Sequence, residues 1–158
     1  MPYPEPKHGK IHDVCVDLRH KIPDERGTIM HGVTVDQLRN SFGEVYFKKL
    51  YLGVVNAWHV HEVLTLNYLC IYGMIKLVLY DMRENSPTNG TLQEIFIGED
   101  NYCMVHIPPG IANGSKGMTA PYAIMCNVAS LPHDPSIDYL RIDPHSGEIP
   151  YDWARRDY

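Results

Sequence analysis

Short runs of apolar residues, interrupted at regular intervals, dominate the chain from residue 44 onward. These runs are rich in β-branched, aromatic and aliphatic residues, the types that favour extended strands. Glycine-, proline- and asparagine-rich turn signals such as SPTNG, PPG and LPHDP separate them. The predicted strands are EVYFKKLYLG, VVNAWHVH, LTLNYLCIYG, MIKLVLYDMR, TLQEIFIG, NYCMVHIP, YAIMCNVA and SIDYLRI. About eight strands at spacings of roughly 8 to 12 residues predict an all-β fold, an antiparallel sandwich or jelly-roll barrel with a ligand in its mouth.

The first forty residues lack this pattern and predict irregular structure with short extended pieces around IHDVCVDLRH. One short helix is predicted at TVDQLRNSF, residues 34–42, because Thr34 and Gln37 have capping-box spacing and Gly43 comes next as a stop signal. No internal repeat, long charge run or low-complexity linker divides the chain. Residues 1–158 are therefore predicted to form a single domain.

Composition narrows the class of partner. The chain has 158 residues, 44% of them hydrophobic and 21% charged, which is typical of a soluble globular protein with one core. The net charge of −5 argues against a nucleic-acid groove or a polybasic membrane surface. No signal peptide and no apolar run of about 18 residues is found, so no membrane partner is expected and the expected location is cytoplasmic. The four cysteines include no CxxC pair and are expected to be reduced thiols.

Two histidines in the strand VVNAWHVH are the first candidates for chemistry. Alternate residues of a strand point to the same face, so His59 and His61 are expected to project together while Trp58 and Val60 face the other way. From the residues alone three uses stay open: a pair of metal ligands, a general base, or a structural pair lining a wet barrel mouth.

The metal hypothesis depends on residues farther along the chain. The spacing from Gly53 through His59 and His61 resembles the first metal motif of the cupins, small jelly-roll barrels, and PPGIAN resembles the second. The cupin motifs have a glutamate at the position of Leu66 and a histidine at the position of Asn113. Two imidazoles and one amide are a poor set for a transition metal, which prefers three or four N, O or S ligands. We therefore expect no metal and no other cofactor.

The base hypothesis needs a carboxylate that orients the second ring nitrogen of the histidine. On the C-terminal strand the candidates are Asp138 and Asp143. A neutral imidazole with a pKa of about 6.5 is well suited to take a proton at physiological pH.

Five motifs occur in a fixed order along the chain: DERG, GVVNAWH, DMRENSPTNG, IPPGIANG and RIDPHSGEIPYDW. Together they resemble dTDP-4-dehydrorhamnose 3,5-epimerase and its relatives among the nucleotide-sugar epimerases, over about residues 20–153. The resemblance implies a cupin jelly roll that binds a nucleotide sugar. It also implies a homodimer in which an N-terminal arm, residues 1–40, reaches toward the partner's site.

The resemblance assigns roles to three residues. His59, directly after GVVNAW, matches the catalytic base of the family, and Asp143 matches the aspartate that orients it. Arg26 of DERG matches an arginine that contacts the nucleotide phosphates, a role that suits a guanidinium. The implied reaction is abstraction of a proton beside the ketone of a 4-keto-6-deoxyhexose.

The chain departs from the family at several site positions. The resemblance implies an arginine at the position of Asn56 and a lysine near the position of Leu66. It also implies a histidine at the position of Asn113 and a glutamate at that of His31. The catalytic acid of the family, a tyrosine, falls near Cys126, which is therefore the possible acid here. The predicted substrate-binding residues are Arg26, His31, Asn56, His61, Asn113 and Lys116.

These departures leave more than one function open. Removing one preorganised donor typically costs about 2–4 kcal/mol of barrier, and Lys48, Lys49 and Lys116 are the candidates to replace lost positive charge. Retention of the base without the usual acid fits an epimerase, including a mono-epimerase, or a ketoisomerase that returns the proton on the same face. The alternatives are a carbohydrate-binding cupin without catalysis and, less favoured, a metal-dependent cupin.

Overall fold

The structure, a computed structural model, describes residues 7–39, 41–136 and 140–157. These ranges contain thirteen strands and no helix. In chain order the strands are β1 (Lys7–His8), β2 (Cys15–Leu18), β3 (Lys21–Asp24), β4 (Gly27–Met30), β5 (Glu44–Tyr51), β6 (Val55–Val60), β7 (Leu66–Tyr72), β8 (Met74–Asp81), β9 (Thr91–Gly98), β10 (Cys103–Ile107), β11 (Ile111–Gly117), β12 (Tyr122–Ala129) and β13 (Leu140–Arg141).

Two facing sheets form the barrel. One has the strand order β1-β9-β8-β11-β6-β13 and the other β2-β10-β7-β12-β5, while β3 and β4 pair only with each other. The pairings are antiparallel except that of β1 with β9. The main core lies between the sheets and joins side chains of both, such as Leu66 of β7 and Leu77 of β8. The predicted all-β jelly roll of the cupin type is confirmed.

The C-terminal segment covers the outer face of β6. Trp58 and Val60 are buried there against Ile142, Ile149 and Trp153. Since successive side chains of a strand point to opposite faces, this packing turns the residue between Trp58 and Val60 toward the barrel interior. The expected separation of the two faces of β6 is confirmed.

The strand β11 is absent from the sequence prediction because its residues, IANGSKG, are mostly small or polar. In the structure it is a buried strand between β8 and β6. A Cβ atom added to Gly114 would lie 2.5 Å from Cβ of Ala57 and 2.8 Å from Cζ2 of Trp153. The small residue therefore permits close approach of two neighbouring elements, which is one of the uses of glycine inside a strand.

The helix predicted over residues 34–42 is wrong. Half of the capping contact forms, because the backbone N–H of Thr34 donates to Oε1 of Gln37 over 2.9 Å. The chain turns once and then leaves helical geometry at Arg39, whose φ of 53° lies in the left-handed region. Asn40, the next position of the predicted helix, lies outside the described residues.

The motif DMRENSPTNG forms a loop around one buried carboxylate. Asp81, at the end of β8, accepts hydrogen bonds from Nε of Arg83 at 2.9 Å and from the hydroxyls of Ser86 and Thr88, each at 2.6 Å. Burial by itself would raise the pKa of Asp81, but these hydrogen bonds outweigh it and lower the pKa to about 2. The loop is thus built on an ionised aspartate.

This loop also supports the turn after β10. A Cβ atom on Gly110 of the PPG turn would lie 2.6 Å from Cγ of Arg83, so the loop and the turn approach closely. The N–H of Gly110 donates to the carbonyl of His61 over 2.7 Å. The loop, the turn and the backbone beside the candidate histidines therefore form one connected unit.

Asp81→Asn is expected to lower the free energy of unfolding at pH 7 by about 2–3 kcal/mol, the value of a pKa difference between about 4 unfolded and about 2 folded. The ionised carboxylate stabilises the fold above the unfolded pKa, and this contribution is lost as pH falls from about 4 through about 2. Denaturant titrations at several pH values measure both effects. Asp100→Asn, at an exposed turn, is the control; an unchanged acid dependence in Asp81→Asn would contradict the assignment.

Candidate active site

His59 and His61 open into one cavity of about 330 Å³ at the barrel mouth. Asn56 lies beside them on β6 and also lines this cavity. Both sheets contribute to its walls, since β5 and β7 belong to the sheet opposite β6. The other lining residues are Glu44, Tyr46, Lys48, Tyr68, His133 and Arg141.

The amide oxygen of Asn56 joins His59 to Lys48. Nζ of Lys48 donates to Oδ1 of Asn56 over 3.3 Å, and Nε2 of His59 contacts the same atom. An ammonium group can only donate, so the shared atom is the amide oxygen and Nε2 of His59 is also a donor. The neutral ring then has its proton on Nε2 and its basic lone pair on Nδ1.

The surroundings keep His59 neutral. Burial lowers the pKa of His59 to about 4, and the charges of Lys48, Arg141 and His61 act in the same direction. Burial, together with the charge of Arg141, also lowers the pKa of Lys48. A neutral imidazole beside cationic groups can accept a proton and lies in a field that attracts anions.

Asn113 fixes the backbone of the candidate base. Its side chain is buried, with 2% exposure, and its Nδ2 donates to the carbonyl of His59 over 3.1 Å. Its Oδ1 accepts a hydrogen bond from the hydroxyl of Tyr68 at 3.0 Å. The ladder between β11 and β6 is irregular just after this position, between Asn113 and Ser115. Asn113 therefore supports the site from behind His59.

Asp143 lies close to the predicted base. It lines a depression of about 290 Å³ that also includes His59, Asn56 and Arg141. Its Oδ1 accepts the backbone N–H of His145 over 2.8 Å. The structure thus brings Asp143 near the site, and its orienting role stays a prediction. The other carboxylate candidate, Asp138, falls outside the described residues.

The predicted acid does not line the cavity. Met125 belongs to the core between the sheets, whereas Cys126 points to the opposite face of β12 and packs with Leu69 and Met104. This placement agrees with the alternation of side chains along the strand. Burial raises the pKa of the Cys126 thiol above its usual value, which keeps it protonated.

Lys116 also lies elsewhere. Its Nζ donates to the carbonyl of Trp153 over 2.7 Å, on the side of β11 that the C-terminal segment covers. This contact stabilises the packing of that segment and accounts for the lysine structurally.

Arg26 and His31 belong to the arm and are exposed. Arg26 lies at the turn between β3 and β4, where its NH2 group pairs with Oδ2 of Asp24 at 2.6 Å. The backbone N–H of His31 donates to the carbonyl of His20 over 2.9 Å. Neither residue lines the cavity around His59 within one chain.

Tyr46, Tyr68 and Arg141 line the cavity but were not predicted from the sequence. Lys48 was named there only as one of three lysines that could replace lost positive charge. A signal for β5 is available in its pattern: Glu44, Tyr46 and Lys48 are polar or amphipathic residues at alternate positions and therefore share one face. No comparable signal marks Arg141, whose two-residue strand joins the sheet only through β6.

Within the ranges that the structure describes, no three His, Cys, Asp or Glu side chains are grouped so as to hold a metal ion. The same ranges contain no helix of the length and apolarity needed to cross a membrane.

A cupin barrel with a neutral histidine and cationic groups in its mouth has the chemical means to accept a proton and to attract an anion. The family model for dTDP-4-dehydrorhamnose 3,5-epimerase matches residues 22–157. The chain belongs to this family, whose enzymes are isomerases, and the predicted family and enzyme class are confirmed.

Two relatives share about one third of their aligned residues with this chain. The chain is 34% identical over 150 residues to a probable low-salt glycan biosynthesis epimerase of Haloferax volcanii, covering 90% of this chain and 89% of the relative. It is 31% identical over 143 residues to a spore coat polysaccharide biosynthesis protein of Bacillus subtilis, covering 90% and 91%.

Solved structures agree with the fold. A dTDP sugar isomerase of Desulfovibrio desulfuricans superposes with a TM-score of 0.87 at 32% identity, covering 93% of this chain and 94% of that one. An epimerase of Legionella pneumophila in complex with dTDP-4-keto-L-rhamnose superposes with a TM-score of 0.83 at 19% identity, covering 96% and 84%. The second match supports the fold alone.

His59 is expected to titrate near pH 4, because burial and neighbouring cations disfavour its charged form. Lys48→Met removes one of those cations, so the pKa of His59 should rise while staying below the ordinary value of about 6.5, since burial remains. NMR of the imidazole carbons across pH measures both. Lys49→Met, on the outer face of β5, is the matched control and should leave the titration unchanged. Titration of His59 near its ordinary value in the unsubstituted protein would contradict the placement.

Proposed function

We propose that this protein is a nucleotide-sugar epimerase that uses His59 to remove the proton beside the ketone of a 4-keto-6-deoxyhexose. The observation that carries the proposal is the neutral imidazole held through Nε2 by Asn56, in a cavity that also contains Lys48. Membership of the epimerase family supports the reaction class. The names of the two relatives support a place in the biosynthesis of surface glycans or polysaccharides.

Each group has a role in the proposed reaction. Nδ1 of His59 takes the proton on the carbon next to the ketone, and the electrons of the broken C–H bond form an enolate. Lys48, joined to His59 through Asn56, stabilises the negative oxygen of the enolate. Arg141 lies where the cavity meets the depression of Asp143, and its charge there suits the diphosphate of the nucleotide.

Asn56 and Asp143 divide the work of supporting the base. Asn56 fixes the tautomer and the ring orientation through Nε2. Asp143 shares the depression beside His59, and its negative charge stabilises the imidazolium that forms when the proton is taken. Asn56, which replaces an arginine of the family, thereby gains a function in positioning the base.

The first test is exchange with solvent. In deuterium oxide the enzyme is expected to place deuterium beside the ketone of a 4-keto-6-deoxyglucose carried by dTDP, UDP or CDP. His59→Asn should reduce this exchange by at least about 100-fold, the usual contribution of a positioned base. Lys48→Met should reduce it by about 100- to 1000-fold, the usual effect of removing an oxyanion donor.

Lys10→Met, at an exposed position outside the strands, serves as the control, and thermal melting confirms that each variant is folded. Undiminished exchange in His59→Asn would eliminate it as the base. Tight binding of these nucleotide sugars with no exchange in the unsubstituted protein would favour the alternative of a binding protein without catalysis.

We further propose that the protein is a homodimer in which the hairpin β3–β4 completes the partner's site. The hairpin belongs to neither sheet and exposes Ile22 (51%) and Ile29 (60%). Phe47 is 62% exposed on the outer face of β5. An isolated hairpin is marginally stable and exposed apolar groups favour association, so burial of both surfaces against a second copy is physically reasonable. The hairpin would carry Arg26 to the partner's phosphate subsite and bring His31 near it.

A mixing experiment tests this exchange of arms. Arg26→Ala and His59→Asn are each expected to be nearly inactive alone. In a random one-to-one mixture, half of the dimers contain one of each chain, and the intact arm then meets the intact base in one of the two sites, so about a quarter of full activity returns.

Co-expression and a turnover assay measure the recovery, and sedimentation velocity measures the assembly. A mixture that recovers nothing although mixed dimers form would show that each arm serves its own subunit.

We also propose a cytoplasmic location, which the unpaired state of all four cysteines supports.

A further inference from the structure

The proposed epimerisation needs a group that gives a proton to the opposite face of the carbon that His59 has deprotonated. The thiol of Cys126 packs on the far side of β12 and does not line the cavity. Two phenols do line it, Tyr46 on β5 and Tyr68 on β7. If the proposed function is right, one of these two hydroxyls is the candidate source of the proton.

Hydrogen bonding separates the two tyrosines. The hydroxyl of Tyr68 donates to Oδ1 of Asn113, whose Nδ2 in turn holds the carbonyl of His59. The proton of Tyr68 is therefore engaged in positioning the base. The hydroxyl of Tyr46 instead accepts a hydrogen bond from Nδ2 of Asn127 over 2.9 Å. Asn127 is therefore a donor already in place for the phenolate that remains after proton transfer.

Topology places Tyr46 and His59 on opposite walls. β5 belongs to the five-stranded sheet and β6 to the six-stranded sheet, and the cavity lies between them. Tyr46 and Lys48 are two residues apart on β5 and point to the same face. Nζ of Lys48 donates across the cavity to Asn56, which is three residues from His59. This face of β5 therefore lies opposite the part of β6 that carries the candidate base.

We propose that Tyr46 is the catalytic acid of this enzyme, in place of the family tyrosine whose position falls near Cys126. After His59 has taken the proton, the enolate collapses to the ketone while its carbon takes the proton of the Tyr46 hydroxyl from the other face. The O–H bond breaks, a C–H bond of inverted configuration forms and the phenolate accepts the hydrogen bond from Asn127. Solvent then returns a proton to Tyr46 and removes one from His59, which restores both groups.

The test separates deprotonation from inversion. In deuterium oxide, Tyr46→Phe is expected to retain exchange into recovered substrate within about threefold, because His59 still removes and returns the proton on one face. Formation of the epimer should fall by about 100- to 10,000-fold, the usual contribution of a positioned acid. NMR of the sugar measures both quantities in one sample.

Two further variants sharpen the result. Tyr68→Phe is expected to lower exchange and epimer formation by the same factor, since it loosens the base without removing the acid. Tyr72→Phe, at the end of β7 and away from the cavity, should leave both unchanged. Tyr46→2,3-difluorotyrosine keeps the hydroxyl at a lower pKa, so the basic limb of the epimerisation profile should move to lower pH.

Each outcome decides the matter. Normal epimer formation in Tyr46→Phe, with exchange intact in the unsubstituted enzyme, overturns the role of Tyr46 and leaves the proposed function standing. Absence of exchange in the unsubstituted enzyme with every nucleotide sugar of the panel overturns both. An unmoved basic limb in the fluorotyrosine enzyme also counts against Tyr46.

Discussion

One amide oxygen carries the organisation of the site. Oδ1 of Asn56 receives Lys48 from one sheet and His59 from its own strand, so it joins the two walls of the cavity at the point where proton transfer is proposed. An arginine side chain has no acceptor and could not make this junction. At this position, where the resemblance implies an arginine in the family, the asparagine accepts hydrogen bonds from both groups and so favours one tautomer of His59. Charge near the base is then supplied from the opposite sheet.

The fold was predictable to the extent that each strand obeyed the common rules. Strands with a continuous or alternating apolar pattern were found, whereas β11 was missed because close packing around Gly114 favours small residues over good strand formers. The helix was predicted from a capping signal that is present as a contact but ends at Arg39. Local sequence signals predict where a secondary-structure element can begin, whereas packing against the rest of the fold determines whether it continues.

The site was predictable only on one wall. His59 was recognised as a match to a motif position and Asn113 as a departure at another. The first half of β5, by contrast, has Val45 and Phe47 outward and Glu44, Tyr46 and Lys48 inward, the reverse of the usual arrangement. Phe47 is 62% exposed while its neighbours Tyr46 and Lys48 face the cavity. A polar interior on one face and a proposed contact with a second subunit on the other explain the inversion together. Neither cause is visible in a single sequence, because one needs the opposite sheet and the other needs the partner.

The loop built on Asp81 has a consequence for how such proteins diverge. Its motif, DMRENSPTNG, is one of the five that together carry the resemblance to the family, yet its carboxylate binds neighbouring loop residues and its arginine packs against a turn. This motif therefore reports the support of the barrel mouth and not the groups that would transfer protons there. For this chain, membership of the family and the identity of the catalytic groups are separate questions.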